Sequence, residues 1–173
     1  AAEYDRKGVF PVENVTALRK SGFAAAAVPE ELGGMGVTSN HDCMVAMNRL
    51  GRAEGSTPLA FIMHLSRTLG TARTLRRAIA TGNKALRDRS EELLKKIGVG
   101  EAFITVANSE PGANIRTSRT LATKVEGGWL FNGAKTFATG SPAADMLAVR
   151  ARFENEAGDQ RMGAAIVPVD RLG

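Results

Sequence analysis

Asn108-Ser109-Glu110-Pro111-Gly112-Ala113 and Trp129-Leu130-Phe131-Asn132-Gly133-Ala134-Lys135-Thr136-Phe137-Ala138-Thr139-Gly140 together decide how this chain is read. Ahead of the first stretch, Phe103-Ile104-Thr105-Val106-Ala107 is an apolar run of strand type. Pro111 and Gly112 then break the strand and free backbone N–H groups. In the second stretch a Gly127-Gly128 turn leads into an aromatic strand, and Asn132-Gly133 predicts a second hairpin turn followed by another strand. The two irregular strand ends each carry a small hydroxyl residue, Ser109 and Thr139, with Phe137 close by. Brought together, they would form a pocket for a planar polar ring.

Toward the N-terminus the pattern is helical. Pro11 suits the entry of a short helix over 12–20, Val12, Val15 and Leu18 form its stripe, and Gly22 ends it. Phe23 to Val28 is apolar and runs into a Pro29–Gly36 loop. Ser39 caps a helix to about Ala53, with Cys43, Met47 and Leu50 inward and Met44 and Ala46 widening the face. Ser56 or Thr57 caps a long helix whose first half, Leu59 to Leu65, is apolar on nearly every side, as in a buried helix. Further along, Leu69, Ala72, Leu75 and Ile79 hold one face and Arg73, Arg76 and Arg77 the other. After Gly82, Asn83 caps a last helix with Leu86, Leu93, Leu94 and Ile97 inward, closed by Gly98 and Gly100.

After Ala102 the period changes from helical to two. The domain boundary is placed there: 1–101 helical, 102–173 β. Leu121, Thr123 and Val125 alternate with polar neighbours, as do Leu147, Val149, Ala151 and Phe153. A final strand runs over 162–169, broken by Pro168. The fold class is α+β, a helical domain followed by a partial antiparallel β-barrel or sandwich. The β part is too short for a closed barrel and leaves edges open.

The composition is that of a globular chain: 43% hydrophobic, 24% charged, net charge +5 over 173 residues. No apolar run approaches the roughly 20 residues that cross a bilayer. The arginines are dispersed and few aromatics accompany them, so neither nucleic acid nor membrane is an expected partner. Cys43 is the single cysteine, read as a buried thiol and compatible with a cytoplasmic setting. His64, in the apolar half of the long helix, reads as a core histidine satisfied by a hydrogen bond. His41 reads as a surface residue, and no metal-ligand spacing is present. The methionines at 35, 44, 47 and 63 are core filler, with a lining for a flexible acyl chain as the other reading.

Ser109-Glu110-Pro111-Gly112, then Leu130-Phe131-Asn132-Gly133-Ala134-Lys135-Thr136-Phe137-Ala138-Thr139-Gly140, resembles the flavin-binding signature of the acyl-CoA dehydrogenase family. Ala2-Glu3-Tyr4-Asp5-Arg6-Lys7-Gly8 and Val28-Pro29-Glu30-Glu31-Leu32-Gly33-Gly34-Met35-Gly36 are similar to two further family landmarks, in the same order. The resemblance runs from the first residues to Gly173. It implies an FAD lying against the strands after residue 107, with Ala107, Asn108, Ser109, Gly112, Ile115, Phe137, Ala138 and Thr139 as the cofactor-binding residues. Ser109 and its neighbouring backbone would meet the pyrimidine edge, Phe137 would pack on the ring system, and Thr139 would reach the N5 side. Reduced flavin carries added charge that nearby donors stabilise. The Pro29–Gly36 loop would lie beside the active site, and Glu110 and Pro111 would shape the turn rather than do chemistry.

The implied activity is α,β-dehydrogenation of an acyl thioester, with an acyl-CoA or related substrate, an electron-transfer partner and a homo-oligomer, a tetramer in many members. Two departures bear on this. Asn114-Ile115-Arg116 replaces the family's Gly-Ser-Asp, and Ile115 cannot hold the pyrophosphate as the family serine does; Arg116, Thr117 or Ser118 are substitutes. The family's catalytic carboxylate lies on a C-terminal helical domain beyond these residues, and the leading helix looks clipped. The sequence therefore reads as a fragment of a larger enzyme, with no catalytic residue named in it. Flavin-dependent monooxygenation on the same fold is the alternative, and a non-catalytic basic binding module the third reading.

Overall fold

The structure, a computed structural model, describes residues 2–113, 117–155 and 157–171. Among these residues five α-helices come first: α1 Ala2–Lys7, α2 Val12–Lys20, α3 Asn40–Gly51, α4 Ser56–Ala80 and α5 Lys84–Gly98. Five strands follow: β1 Ile104–Ala107, β2 Leu121–Val125, β3 Gly128–Asn132, β4 Met146–Glu154 and β5 Gln160–Pro168. The fold is α+β.

Helix starts follow local chemistry. The Ser39 hydroxyl accepts the Asp42 N–H at 3.2 Å, and the Asn83 side chain accepts the Leu86 N–H at 3.1 Å. At α4 neither Ser56 nor Thr57 is the cap. The Glu54 carboxylate accepts both of their N–H groups, each at 2.7 Å. Two charged acceptors at the positive end of a helix outcompete a hydroxyl. Burial opposes the Glu54 charge, yet the hydrogen bonds from Thr57 and Ser56 hold its pKa down to about 2.

Along α4 the stripe holds in the middle, where Leu65, Leu69, Ala72 and Leu75 are buried. Its ends project. Leu59 is 59% exposed and Ile79 turns outward while Ala78 takes the inner place, both against the sequence pattern. With a rise of about 1.5 Å per residue, this 25-residue helix is longer than the 15-residue α5 beside it can cover. Leu86 and Met44 also face outward, whereas Cys43 and Met47 are buried. The Pro29–Gly36 loop folds tightly onto Ala25 and Val28: a Cβ at Gly34 would lie 2.1 Å from the Val28 carbonyl oxygen.

The sheet is mixed rather than antiparallel. β4 pairs along its whole length with β5, antiparallel, from Met146↔Pro168 to Glu154↔Gln160. Its other edge is shared by two parallel partners, β1 over Ile104↔Met146 to Ala107↔Val149 and β2 over Leu121↔Arg152 to Thr123↔Glu154. The long excursion between β1 and β4 is the crossover that parallel pairing requires. A strand with parallel neighbours is buried on both faces. Leu147, Ala148 and Val149 are accordingly all buried, where alternation was expected.

In β2 the inward residue is Ala122, not Leu121, Thr123 and Val125. Ala122 stands opposite both Phe131 and Phe153, and a small residue suits the space between two aromatics. The β2–β3 turn falls at Glu126-Gly127, with Gly128 already in the strand. Asn132-Gly133 makes no hairpin. A Cβ at Gly133 would lie 2.4 Å from the Thr120 hydroxyl, so glycine is required for close approach rather than for a turn. The chain beyond Asn132 forms only an isolated antiparallel bridge, Ser109↔Thr136.

The two sheet faces pack differently. Ile104, Ala148, Val106, Met146 and Ile166 join Val28, Leu75, Leu94 and Ile97 under the helices. On the other face Ala107, Leu147 and Val149 pack with Phe131, Ala138 and Val167. A third cluster, with Val15, Met47, Phe61, Leu65 and Phe103, fills the helical part.

Candidate functional site

β1 is anchored at its start. His64 of α4 is fully buried; its Nδ1 accepts the Ile104 N–H at 3.0 Å, so its Nε2–H donates to the Ala24 carbonyl at 2.9 Å. The ring stacks on Phe103 with centroids 4.4 Å apart. Burial keeps the imidazole neutral and lowers its pKa to about 4. This is the core histidine expected from the sequence. Beside it, Asp145 accepts the Phe103 N–H at 2.6 Å and pairs with Arg19 of α2 at 2.9 Å.

At its other end β1 runs through Ala107 and Asn108 to Ser109, where the chain meets the 135–139 segment. The Thr136 N–H donates to the Ser109 carbonyl at 2.9 Å. The Thr105 hydroxyl donates to the Thr139 carbonyl. Ala138 packs over Ala107, Leu147 and Val149. Ser109, Ala138 and Thr139 thus belong to two segments lying side by side on the sheet face away from the helices. Between them Phe137 has φ 54° and is 86% exposed. An aromatic residue in the left-handed region is strained, and such strain gathers at functional sites. A tight turn fixes it, with the Thr139 N–H 2.6 Å from the Phe137 carbonyl. The Ser109 side chain is exposed, and Thr139 and Asn108 are half-buried.

Beneath this rim sits a buried charge cluster. The Glu110 carboxylate accepts hydrogen bonds from Lys135 Nζ, the Ser118 hydroxyl, the Arg119 N–H, and the Thr120 N–H and hydroxyl, the last two at 3.1 and 2.7 Å. Lys135 Nζ also donates to the Arg150 carbonyl of β4. The Arg119 guanidinium reaches the carbonyls of Pro111 and Gly112 at 3.2 and 2.8 Å. Burial alone would raise the Glu110 pKa, but the donors, Lys135 foremost, outweigh it and hold the carboxyl well below the usual carboxylate range. Glu110 directly follows Ser109, and Lys135 directly precedes Thr136. The pair therefore fixes the two rim segments relative to one another.

Of the residues singled out in the sequence, Ala107, Asn108, Ser109, Phe137, Ala138 and Thr139 are brought to this rim. Gly112 lies on the adjoining turn, and Ile115, with its neighbours 114 and 116, is outside the described residues. Sequence reasoning gave Glu110 a turn-shaping role, offered Ser118 as a phosphate-holding substitute where the structure ties its hydroxyl to Glu110, and gave no role to Lys135 and Thr120. The one available signal was an acid in a stretch too apolar and turn-rich to leave it solvated, 25 residues from the lysine that pairs with it.

Known proteins place this arrangement in context. Residues 1–89 match the family described as "Acyl-CoA dehydrogenase, N-terminal domain". L-evernosamine nitrososynthase of Micromonospora sp. is 35% identical over 174 residues, which is all of this chain and 39% of that protein. Mitochondrial isovaleryl-CoA dehydrogenase of Solanum tuberosum is 30% identical over 178 residues, 100% of this chain and 40% of its own length. Among solved structures, KijD3 in complex with FMN and dTDP-3-amino-2,3,6-trideoxy-4-keto-3-methyl-D-glucose superposes with a TM-score of 0.84 at 34% identity, over 98% of this chain and 40% of that one. The chain spans about two fifths of the length of the relatives it matches.

Proposed function

Because the chain belongs to the acyl-CoA dehydrogenase family, we propose that it forms the flavin-holding part of a flavin-dependent oxidoreductase, with residues 1–101 as a helical domain and 102–173 as a β domain. The observation that carries this reading is the rim itself, where an outward-facing, strained Phe137 stands between segments bearing Ser109 and Thr139. A flat, partly polar ring system suits that surface. Phe137 offers an aromatic face, and hydroxyls from two chain segments offer edge contacts. In this reading Ser109, with the backbone of Ala107 and Asn108, holds the polar edge of the ring; Phe137 and Ala138 cover it; and Thr139 meets its inner nitrogen side. Gly112 completes the proposed set on the adjoining turn; Ile115, also named from the sequence, lies outside the described residues. The flavin, FAD or FMN, supplies the electron chemistry when bound. The chain supplies position, and the Glu110–Lys135 pair keeps the two halves of the cradle in register.

Of the readings weighed from the sequence, flavin-dependent monooxygenation now leads, and the relatives suggest an amino sugar as its substrate. It is supported by the likeness to L-evernosamine nitrososynthase and to KijD3, which carries FMN and an amino-sugar nucleotide in the structure described above. Dehydrogenation of an acyl thioester, ranked first by the motifs alone, is the second reading. It is supported by the likeness to isovaleryl-CoA dehydrogenase and, if it holds, brings an electron-transfer partner with it. Self-association of the whole protein belongs to either. Oxygen uptake with reduced flavin and an amino-sugar nucleotide, set against reduction of an artificial acceptor with acyl-CoA, separates the two. Turnover only in the second assay would reverse their order.

A further inference from the structure

Thr105 is a fully buried polar side chain within β1. Successive strand residues face opposite ways, so Ile104 and Val106 pack under the helices while Thr105 shares the face of Ala107. A valine would fill the same space without a polar atom. A buried hydroxyl is costly unless it is hydrogen-bonded. This one donates to the Thr139 carbonyl, 34 residues along the chain.

The acceptor sits at a pliable point. Gly140, the next residue, has φ 91°, and glycine takes positive and negative φ about equally well. The peptide between Thr139 and Gly140 is therefore free to flip unless its carbonyl is held. The space around it is narrow: a Cβ at Gly140 would lie 3.3 Å from the Ala60 carbonyl oxygen and 3.5 Å from the Thr105 hydroxyl. Ala60 stands one turn of α4 before His64, whose ring accepts the Ile104 N–H. One face of α4 thus backs both the start of β1 and the end of the rim segment.

The rim segment is clamped at two points. The Thr136 N–H is held by the Ser109 carbonyl, and the Thr139 carbonyl by the Thr105 hydroxyl. The Thr139 N–H and hydroxyl both turn back to the Phe137 carbonyl, at 2.6 and 3.2 Å. Those two bonds move with the segment. The bond from Thr105 is the one that ties Thr139 to β1.

We propose that Thr105 is a positioning residue for the bound cofactor: its hydroxyl locks the Thr139–Gly140 peptide and so sets where Thr139 meets the ring. This role rests on the rim holding a flavin. Thr105 itself is buried behind the rim and acts through Thr139.

Thr105→Val removes the hydroxyl and keeps the shape, and Thr105→Ser keeps the hydroxyl. Both are compared with the natural chain by amide hydrogen exchange over residues 136–140 and by titration with FAD and FMN. Thr105→Val speeds exchange in that segment and weakens flavin binding, each by roughly tenfold; Thr105→Ser stays close to the natural chain in both. Thr68→Val, which removes another buried hydroxyl, one bonded within α4, leaves flavin affinity unchanged. If Thr105→Val fails to fold by circular dichroism, Thr105→Ala is read in its place, with the same losses expected. Equal flavin affinity in the natural chain and Thr105→Val, equal losses in Thr105→Ser, or an equal loss in Thr68→Val would each overturn the role of Thr105 while leaving the flavin reading intact. A natural chain that binds neither flavin would overturn both together.

Discussion

At its first residue β1 is tied down, with the Ile104 N–H on a buried histidine, the preceding Phe103 N–H on Asp145, and both aromatic rings stacked. Past its last residue the same strand opens onto Ser109 and an exposed Phe137 held at positive φ. The two ends differ in where their polar groups go. The anchored end ties its N–H groups to protein partners, one of them a fully buried histidine and the other the partly exposed Asp145. The rim exposes Ser109 and Phe137, and its Thr139 hydroxyl donates to the Phe137 carbonyl at 3.2 Å. A short strand can display a strained surface at one end because the other end, and the Glu110–Lys135 pair below, hold it in place.

Breaking that lower support has the largest expected effect. Lys135→Met leaves the buried Glu110 charge with only neutral donors, and loss of one partner of a buried pair costs about 3–5 kcal/mol. Denaturant unfolding checks this, and the double variant Glu110→Gln/Lys135→Met recovers part of the loss. If the single and double variants are equally unstable, the pair is not the support described here.

Acid attacks the anchored end next. His64 in the folded protein titrates near 4, below the ordinary histidine value of about 6.5, so the unfolded chain takes up the proton first. Stability is therefore full above about pH 6.5 and falls as pH drops toward about 4, by about 3 kcal/mol in total. His64→Gln, which keeps an acceptor and a donor, removes this loss from unfolding curves measured across that window. Glu110, whose pKa is lowered, adds a further loss that begins as pH falls below the ordinary carboxylate value of about 4.3, because the unfolded chain takes up that proton first.

The smallest effect belongs to the rim and has the opposite sign. Phe137→Gly relieves the positive φ and buries nothing less, so it raises stability by about 1 kcal/mol while weakening flavin binding. A thermal melt beside a binding titration tests this. Stability and binding lost together would make Phe137 an ordinary packing residue.

How much of this was legible in the sequence follows from what each feature depends on. Helix caps at Ser39 and Asn83, the stripe from Leu65 to Leu75 and the buried His64 rest on local chemistry and short-range periodicity, which the sequence displays; the meeting of the two motif segments is long-range and was legible through the family resemblance. The parallel pairing of β1 and β2 with β4 is a long-range choice, and no local pattern encodes it. Asn132-Gly133 misled because glycine serves two ends; here it clears space for Thr120 rather than turning the chain. The inward face of β2 was misjudged because Ala122 is small for reasons set by two phenylalanines on other strands. At the candidate site the displayed residues were legible as a motif. The cluster that positions them was not, because Glu110 meets Lys135, Ser118 and Thr120 only after folding.

The most direct test of the central claim is a titration of the protein with FAD and with FMN, followed by absorbance, comparing the natural chain with Ser109→Ala and Thr139→Val. The account predicts a perturbed flavin spectrum on binding and a loss of affinity of roughly tenfold or more in the double variant, with the fold intact. Absence of binding by either flavin, or binding of equal strength in the natural chain and the double variant, would contradict it.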